Sequence, residues 1–274
     1  MGALPFLIFA SAFMLVPASY LVLGSFQNQA GSFTVQNYAD LSGPLIVEAY
    51  KNSLEISLVT AVAGGIFGFL LAYAVIAGGL PRFLRTALMT FSGVASNFAG
   101  VPLALAFVFT IGRLGLLTVF LKNILGIDLW GNGFTIYSKL GLEIVYLYFQ
   151  FPLMVLIIAP AIDGLRREWR EASENMGAST FQYWRYVALP VLLPSLLGTT
   201  ILLFGNSFGA QATAYQLTGG VFNIATLLIS QQLRGDVLHN EGLGYAVAMG
   251  MVAIMTVSIG VYYWLQRRAE RWAK

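Results

Sequence analysis

The chain has 274 residues, of which 58% are hydrophobic and only 10% charged, and its mean hydropathy is +0.75. About a quarter of a soluble domain is charged, so the composition excludes a soluble fold and leaves an integral membrane protein with little room for a separate soluble domain. The net charge of +3 is too small and too unevenly placed to argue for nucleic-acid binding, and without cysteine no disulfide, thiolate metal site or cysteine nucleophile can form.

Residues 4–23 form an apolar run with Pro5 near its start and Pro17 inside. About 20 residues at helical rise cross a ~30 Å hydrocarbon core. A retained first helix is favoured over a signal peptide, because no Lys or Arg precedes the run and it is longer than an h-region. Residues 26–50 are polar and contain the phrase FTVQNYADL. The second span, 52–76, carries Gly64, Gly65 and Gly68, which suit close helix packing.

After a turn holding Arg82 and Arg85, the third span covers 86–111 and is interrupted by Ser92, Gly93, Ser96, Asn97, Gly100 and Pro102. Such an interruption is tolerated in a membrane only where protein or a water-filled cavity covers the freed backbone. Residues 116–125 read as a short interfacial helix, with Trp130 as an anchor. The fourth span, 141–162, holds Glu143, Gln150 and Pro152, with Tyr146 and Tyr148 read as packing or interface aromatics. The fifth span, 191–217, has Asn206, Ser207, Gln211 and Thr213 in its second half. Residues 218–242 form a polar outer segment with the one histidine, His239, read as having no second ligand nearby, so no metal role is expected. The sixth span is 243–265, followed by a basic tail.

Between the fourth and fifth spans lies a polar, basic stretch, 166–190. Residues 166–176 have helix-forming composition, with Ala172 and Met176 on one face. Gly177 is a natural left-handed stop, and Ser179 with Gln182 three residues later spells a capping box for a second helix. Pro190 and Pro194 mark the start of the next apolar segment and can kink it. The prediction is a helix–Gly–helix elbow in which small Ala172, Ser173, Gly177 and Ala178 allow a partner to approach closely.

Charge placement tests the topology. With the N-terminus inside, the inner segments hold Arg82, Arg85, Arg166, Arg167, Arg170, Arg185, Arg267, Arg268, Arg271 and Lys274, against Lys51, Arg113, Lys122, Lys139 and Arg234 outside. That is the bias of the positive-inside rule, and it puts both termini and the elbow in the cytoplasm. Polar groups at membrane depth default to functional hypotheses. Asn97, Gln150, Asn206 and Gln211 are therefore candidates for a solute pathway, against the plainer reading that their amides bond helices together. Glu55 and Glu143 fit either a cation-attracting outer mouth or solvated end charges.

The elbow carries Glu171-Ala172-Ser173, three residues, Gly177, nine residues, then Val187-x-Leu189-Pro190. This resembles the EAA loop of ABC-importer permeases of the binding-protein-dependent type. Ser173 and Val187 depart from the commonest form by small, shape-preserving changes. Within that family, the phrases QNYADL, KNSLEISLVTAVAG and VYLYFQFPLMV are closest to the polyamine, ferric-iron, thiamine and phosphonate group, leaning to polyamines. The resemblance implies an all-α integral membrane protein of six transmembrane helices, residues 1–274 forming one permease domain of a bacterial inner membrane.

It further implies docking of a separate ATPase through Glu171, Ala172, Ser173, Gly177, Leu189 and Pro190, with Arg170 and Glu174 as rim contacts. The implied partners are two ABC ATPase subunits, a second permease subunit expected to be a different chain, a periplasmic or lipid-anchored solute-binding protein, and the lipid membrane. No phosphate-binding G-x-x-x-x-G-K-[ST] exists in the chain, so this chain binds no cofactor and ATP and Mg belong on the partner ATPase. The alternative is a secondary transporter or channel working without an ATPase. It is disfavoured because no inverted internal repeat is apparent and the elbow would lack a reason.

Overall fold

The computed structural model describes residues 4–78, 80–235, 237 and 239–270. Arg271 and Lys274, two of the basic residues counted toward the inner side, lie outside them. Among the described residues twelve helices carry the fold. They are α1 (Leu4–Ser25), α2 (Gln36–Asp40), α3 (Pro44–Ala77), α4 (Arg82–Asn97), α5 (Gly100–Ile111), α6 (Leu116–Leu125), α7 (Lys139–Asp163), α8 (Arg167–Asn175), α9 (Thr180–Phe208), α10 (Ala212–Thr218), α11 (Ala225–Arg234) and α12 (Glu241–Glu270). The same residues contain no strand, only an isolated antiparallel bridge between Gln27 and Phe33.

Six helical runs are long and apolar enough to cross a membrane: α1, α3, Gly100–Leu125, α7, α9 and α12. The third lies later than the expected 86–111. The polar Ser92, Ser96 and Asn97 make α4 a separate 16-residue helix, and the apolar run begins only after the interruption at Phe98 and Ala99. The fifth also ends earlier than expected. Helix α9 stops at Phe208, and α10 resumes at Ala212.

Two prolines are accommodated by the same local device. The Val16 N–H donates to the Ser11 carbonyl, and the Leu189 N–H to the Trp184 carbonyl, each five residues back. Pro17 and Pro190 follow immediately. A proline lacks an N–H and crowds the carbonyl four residues before it, and one wider π turn relieves that crowding without ending the helix. The elbow's second helix therefore runs straight into the fifth span as one 29-residue helix, where the sequence suggests a boundary at Pro190.

The chain divides into two compact units, described separately. The first comprises residues 1–54 and 220–257. Its core joins Ile46 and Ala49 of α3, Ala225 and Leu228 of α11, and Val247 of α12. The Tyr50 hydroxyl donates to the Val247 carbonyl at 2.6 Å, and the Ser53 hydroxyl accepts from the Ala225 N–H at 2.9 Å, capping α11. Buried Asn37, from the FTVQNYADL phrase, donates to the carbonyls of Ser25 and Gln27, fixing the end of α1. In this unit Glu241 Oε1, only two positions along the chain, lies 3.8 Å from His239 Nε2.

The second unit comprises 55–219 and 258–274. Its centre is α7, which buries Leu142, Val145, Tyr146, Phe149, Met154 and Ile158 at helical spacing. In lipid, helices associate through close packing and hydrogen bonds rather than hydrophobicity. A Cβ on Gly64 would lie 2.7 Å from the Gln150 Cβ, and one on Gly68 would lie 2.5 Å from the Met154 Cβ, so α3 meets α7 nearly backbone to side chain. The Thr60 and Ser207 hydroxyls bond at 2.9 Å, tying α3 to α9.

Candidate functional site

The elbow is built as a pair of matched helix ends. Helix α8 closes in a Schellman arrangement: Gly177, at φ +78°, donates to the Glu174 carbonyl at 2.9 Å, and Ala178 donates to the Ser173 carbonyl at 3.0 Å. Two residues on, the Ser179 hydroxyl accepts from the Gln182 N–H while the Gln182 side chain accepts from the Ser179 N–H at 2.7 Å, the reciprocal capping box that opens α9. Both ends are satisfied within the ten residues from Ser173 to Gln182, so the turn is fixed without help from a partner.

The side chains divide by face. Ser173 is buried and its hydroxyl donates to the Trp169 carbonyl at 2.7 Å, which satisfies the polar atom that replaces a methyl. Ala172, Met176, Gly177 and Phe181 are exposed, and a Cβ at Gly177 would meet no atom within 4 Å. Glu171 accepts from Arg167 at 3.0 Å and Glu174 from Arg170 at 2.9 Å, both i,i+4 pairs. Its hydrogen bond to Glu174 raises the Arg170 pKa further, so that charge is permanent. Arg166 stacks over the Trp169 ring at 5.7 Å. Together Tyr73, Arg170, Glu174, Tyr183 and Trp184 line a cleft of about 730 Å³ between α8 and the ends of the long helices. Arg85, at the first turn of α4, pairs with Asp163 at the last turn of α7 beside this cleft.

A second feature lies where two helix interruptions meet. Helix α5 starts at Gly100 with φ +71°, and its Ala99 cap position supplies no side-chain bond. The orphan Gly100 N–H instead donates to the Thr213 hydroxyl at 2.8 Å, on α10. Pro102 falls in the first turn of α5, where its missing N–H costs nothing. Between α9 and α10, the Ala210 carbonyl accepts from the Tyr146 hydroxyl. Ser96, Gly100, Asn206, Gln211 and Thr213 line a cavity of about 520 Å³ at this junction.

The four amides suggested by sequence thus separate. Asn206 and Gln211 line the cavity. Gln150 is fully buried, donates to the Leu203 carbonyl at 2.8 Å and joins α7 to α9. Asn97 is exposed at the end of α4 and bonds its own helix at the Gly93 carbonyl. Glu55 pairs with Lys139 at 2.5 Å. Two residues at the junction, Tyr146 and Thr213, are visible in the sequence as a packing or interface aromatic and a polar residue of the fifth span, but not as partners of the broken backbone. The available signal is that a tyrosine hydroxyl several residues inside an apolar helix needs a partner.

Residues 64–271 match the family model described as the binding-protein-dependent transport system inner membrane component. The chain is 28% identical over 255 residues to a probable sulfate transport system permease protein cysT of Helicosporidium sp. subsp. Simulium jonesii, covering 91% of this chain and 87% of that one. It is 27% identical over 267 residues to the spermidine/putrescine transport system permease protein PotB of Haemophilus influenzae, covering 92% and 88%. Among solved structures, a bacterial ABC transporter involved in the import of the acidic polysaccharide alginate superposes with a TM-score of 0.73 over 97% of this chain and 93% of that chain, at 17% identity. At that identity the likeness speaks for the fold.

Proposed function

Since the chain belongs to the family of binding-protein-dependent transport system inner membrane components, we propose that it is a permease subunit that forms half of a solute pathway and docks a separate ATPase through the elbow. The observation that carries this reading is the elbow itself. Its turn is capped on both sides, yet Ala172, Met176, Gly177 and Phe181 stand exposed around it. A rigid projection that pairs small residues with exposed apolar side chains is what a cleft in a partner can grip and move.

In this reading the elbow and both termini face the cytoplasm, where ATP is, as the arginine bias supports. Two ATPase subunits hold ATP and Mg, and their closure draws the elbows of two permease subunits together. The long helices then open outward, a docked binding protein releases its solute into the cavity, and hydrolysis resets the helices. Ser96, Asn206, Gln211 and Thr213 offer the solute hydrogen bonds.

The solute is a small polar compound. The sequence phrases lean to polyamines, but the cavity favours an oxyanion: its polar side chains are uncharged hydrogen-bonding groups, and an oxyanion can be held by neutral donors alone. A diammonium ion would gain most from carboxylates.

Tagged chain purified from detergent-solubilised membranes, with its partners identified by mass spectrometry, tests the assembly. The expected result is recovery of an ATPase bearing a phosphate-binding loop together with a second permease. Recovery of this chain alone, in a form that moves solute across liposomes without ATP, would establish the secondary-transporter reading instead. Uptake of radiolabelled sulfate but not radiolabelled spermidine is the outcome expected of the cavity, and the reverse selects the polyamine.

A further inference from the structure

We infer that Tyr146 and Thr213 are positioning residues that brace the two helix interruptions against each other and so set the width of the cavity. The inference rests on the reading of that cavity as part of the solute pathway. Each brace joins different helices. Thr213 on α10 receives the Gly100 N–H of α5 at 2.8 Å, acting as an N-terminal cap supplied from another helix. Tyr146 on α7 donates to the Ala210 carbonyl between α9 and α10. Both backbone groups are ones that an unbroken helix would have satisfied internally, and at membrane depth no water replaces them unless a cavity admits it.

One bond ends within the three-residue connection Gly209 to Gln211, where α9 has ended and α10 has not begun, and the other ends at Thr213 in the first turn of α10 just beyond it. That connection and Gly100 are themselves walls of the cavity. Gln211 is carried by that connection and Asn206 by the last turn of α9 leading into it, so the position of this break bears on where both amides stand in the space. Tyr146 is almost fully buried and its ring packs on Phe149, which also lines the cavity, so the phenol is held rigidly by α7. The cavity wall is thus latched to α7 on one side and to α5 on the other.

The chain has no cysteine, so a single introduced thiol reports the cavity without background. The full chain carrying Asn206→Cys, in permeabilised membranes with its natural partners, is labelled with a methanethiosulfonate bearing a trimethylammonium group. Adding Thr213→Val or Tyr146→Phe removes one brace and should raise the labelling rate by about fivefold, the factor that corresponds to losing one ordinary hydrogen bond. Thr213→Ser keeps the hydroxyl and should restore the original rate.

Leu114→Cys, exposed and away from the elbow, serves as the reference and should label equally in every background. Unchanged rates at Asn206→Cys in both Thr213→Val and Tyr146→Phe overturn the brace while leaving the pathway reading intact. A rise shared by Leu114→Cys shows general loosening and also overturns it. If Asn206→Cys resists the reagent in every background, water does not reach the cavity, and the pathway reading fails together with the inference.

Discussion

Gly177 has open space around its α-carbon, so its requirement is conformational: at φ +78° a side chain is strained by about 1–2 kcal/mol. Gly177→Ala should therefore lower the thermal stability of the elbow slightly and retain partial uptake. Gly177→Asp adds a charge at the tip and should abolish ATP-dependent uptake at an unchanged level of membrane-inserted protein. Normal uptake by that variant would remove the docking role. Glu171→Lys has two effects, because Glu171 is already paired with Arg167 on α8. Comparison with Glu171→Gln separates them. Loss of ATPase co-purification in the Lys variant alone assigns the effect to repulsion at the docking surface.

Outside the spans, Asp128 accepts from Lys122 at 2.8 Å and from the Gly131 N–H at 2.8 Å. The Lys122 hydrogen bond first, and the Gly131 N–H second, hold its carboxyl below the usual range. A depressed native pKa means the contacts contribute fully above the unfolded value of about 3.9 and are lost as pH falls through the native value. Protection of the amides across residues 126–134, measured relative to intrinsic exchange, should therefore fall once the pH drops below about 3.9. Asp128→Asn should abolish the dependence.

At the scale of elements, the contact between α3 and α7 is the most sensitive to side-chain size. A Cβ on Gly68 would come within 2.6 Å of the Phe151 carbonyl as well as striking Met154, so Gly68→Leu should cost about 1–3 kcal/mol in a detergent melt. Gly93→Ala, with nothing within 4 Å and a position inside α4, should raise the melting temperature slightly, since Ala is favoured over Gly in a helix by about 1 kcal/mol. The same scale shows what local sequence conveys and what it does not. The stop at Gly177 and the capping box at Ser179 and Gln182 were readable because each uses residues five or fewer positions apart. The interruption in the third span was readable from Ser96, Asn97, Gly100 and Pro102, which no uninterrupted apolar helix would favour.

The interruption after Phe208 was not readable. Gly209 and Ala210 break no local pattern, and the bonds that make the break tolerable come from Tyr146 and Thr213, distant in sequence. Pro190 misled as a boundary because the π turn before it absorbs the crowding. Helix α11 was hidden within a segment read as a polar loop. Its N-terminus is satisfied by Ser53, another long-range bond.

At the scale of the molecule, the sequence conveyed the membrane class, six spans and family, because apolar runs and the elbow's spacing are properties of the chain itself. It did not divide the amides into cavity lining and helix glue, since that depends on which face each helix turns toward its neighbours. The central claim is that the elbow meets an ATPase, and it can be tested at the point of contact. A photo-crosslinking amino acid is placed at exposed Ala172 and, as a control, at exposed Leu114 on the predicted outer side. After irradiation of membranes, the tagged chain is recovered and its adducts identified. The account predicts an adduct from position 172, and none from 114, with an ATPase that carries a phosphate-binding loop. A position 172 that yields only lipid adducts, in membranes where the chain still supports solute uptake, would contradict it.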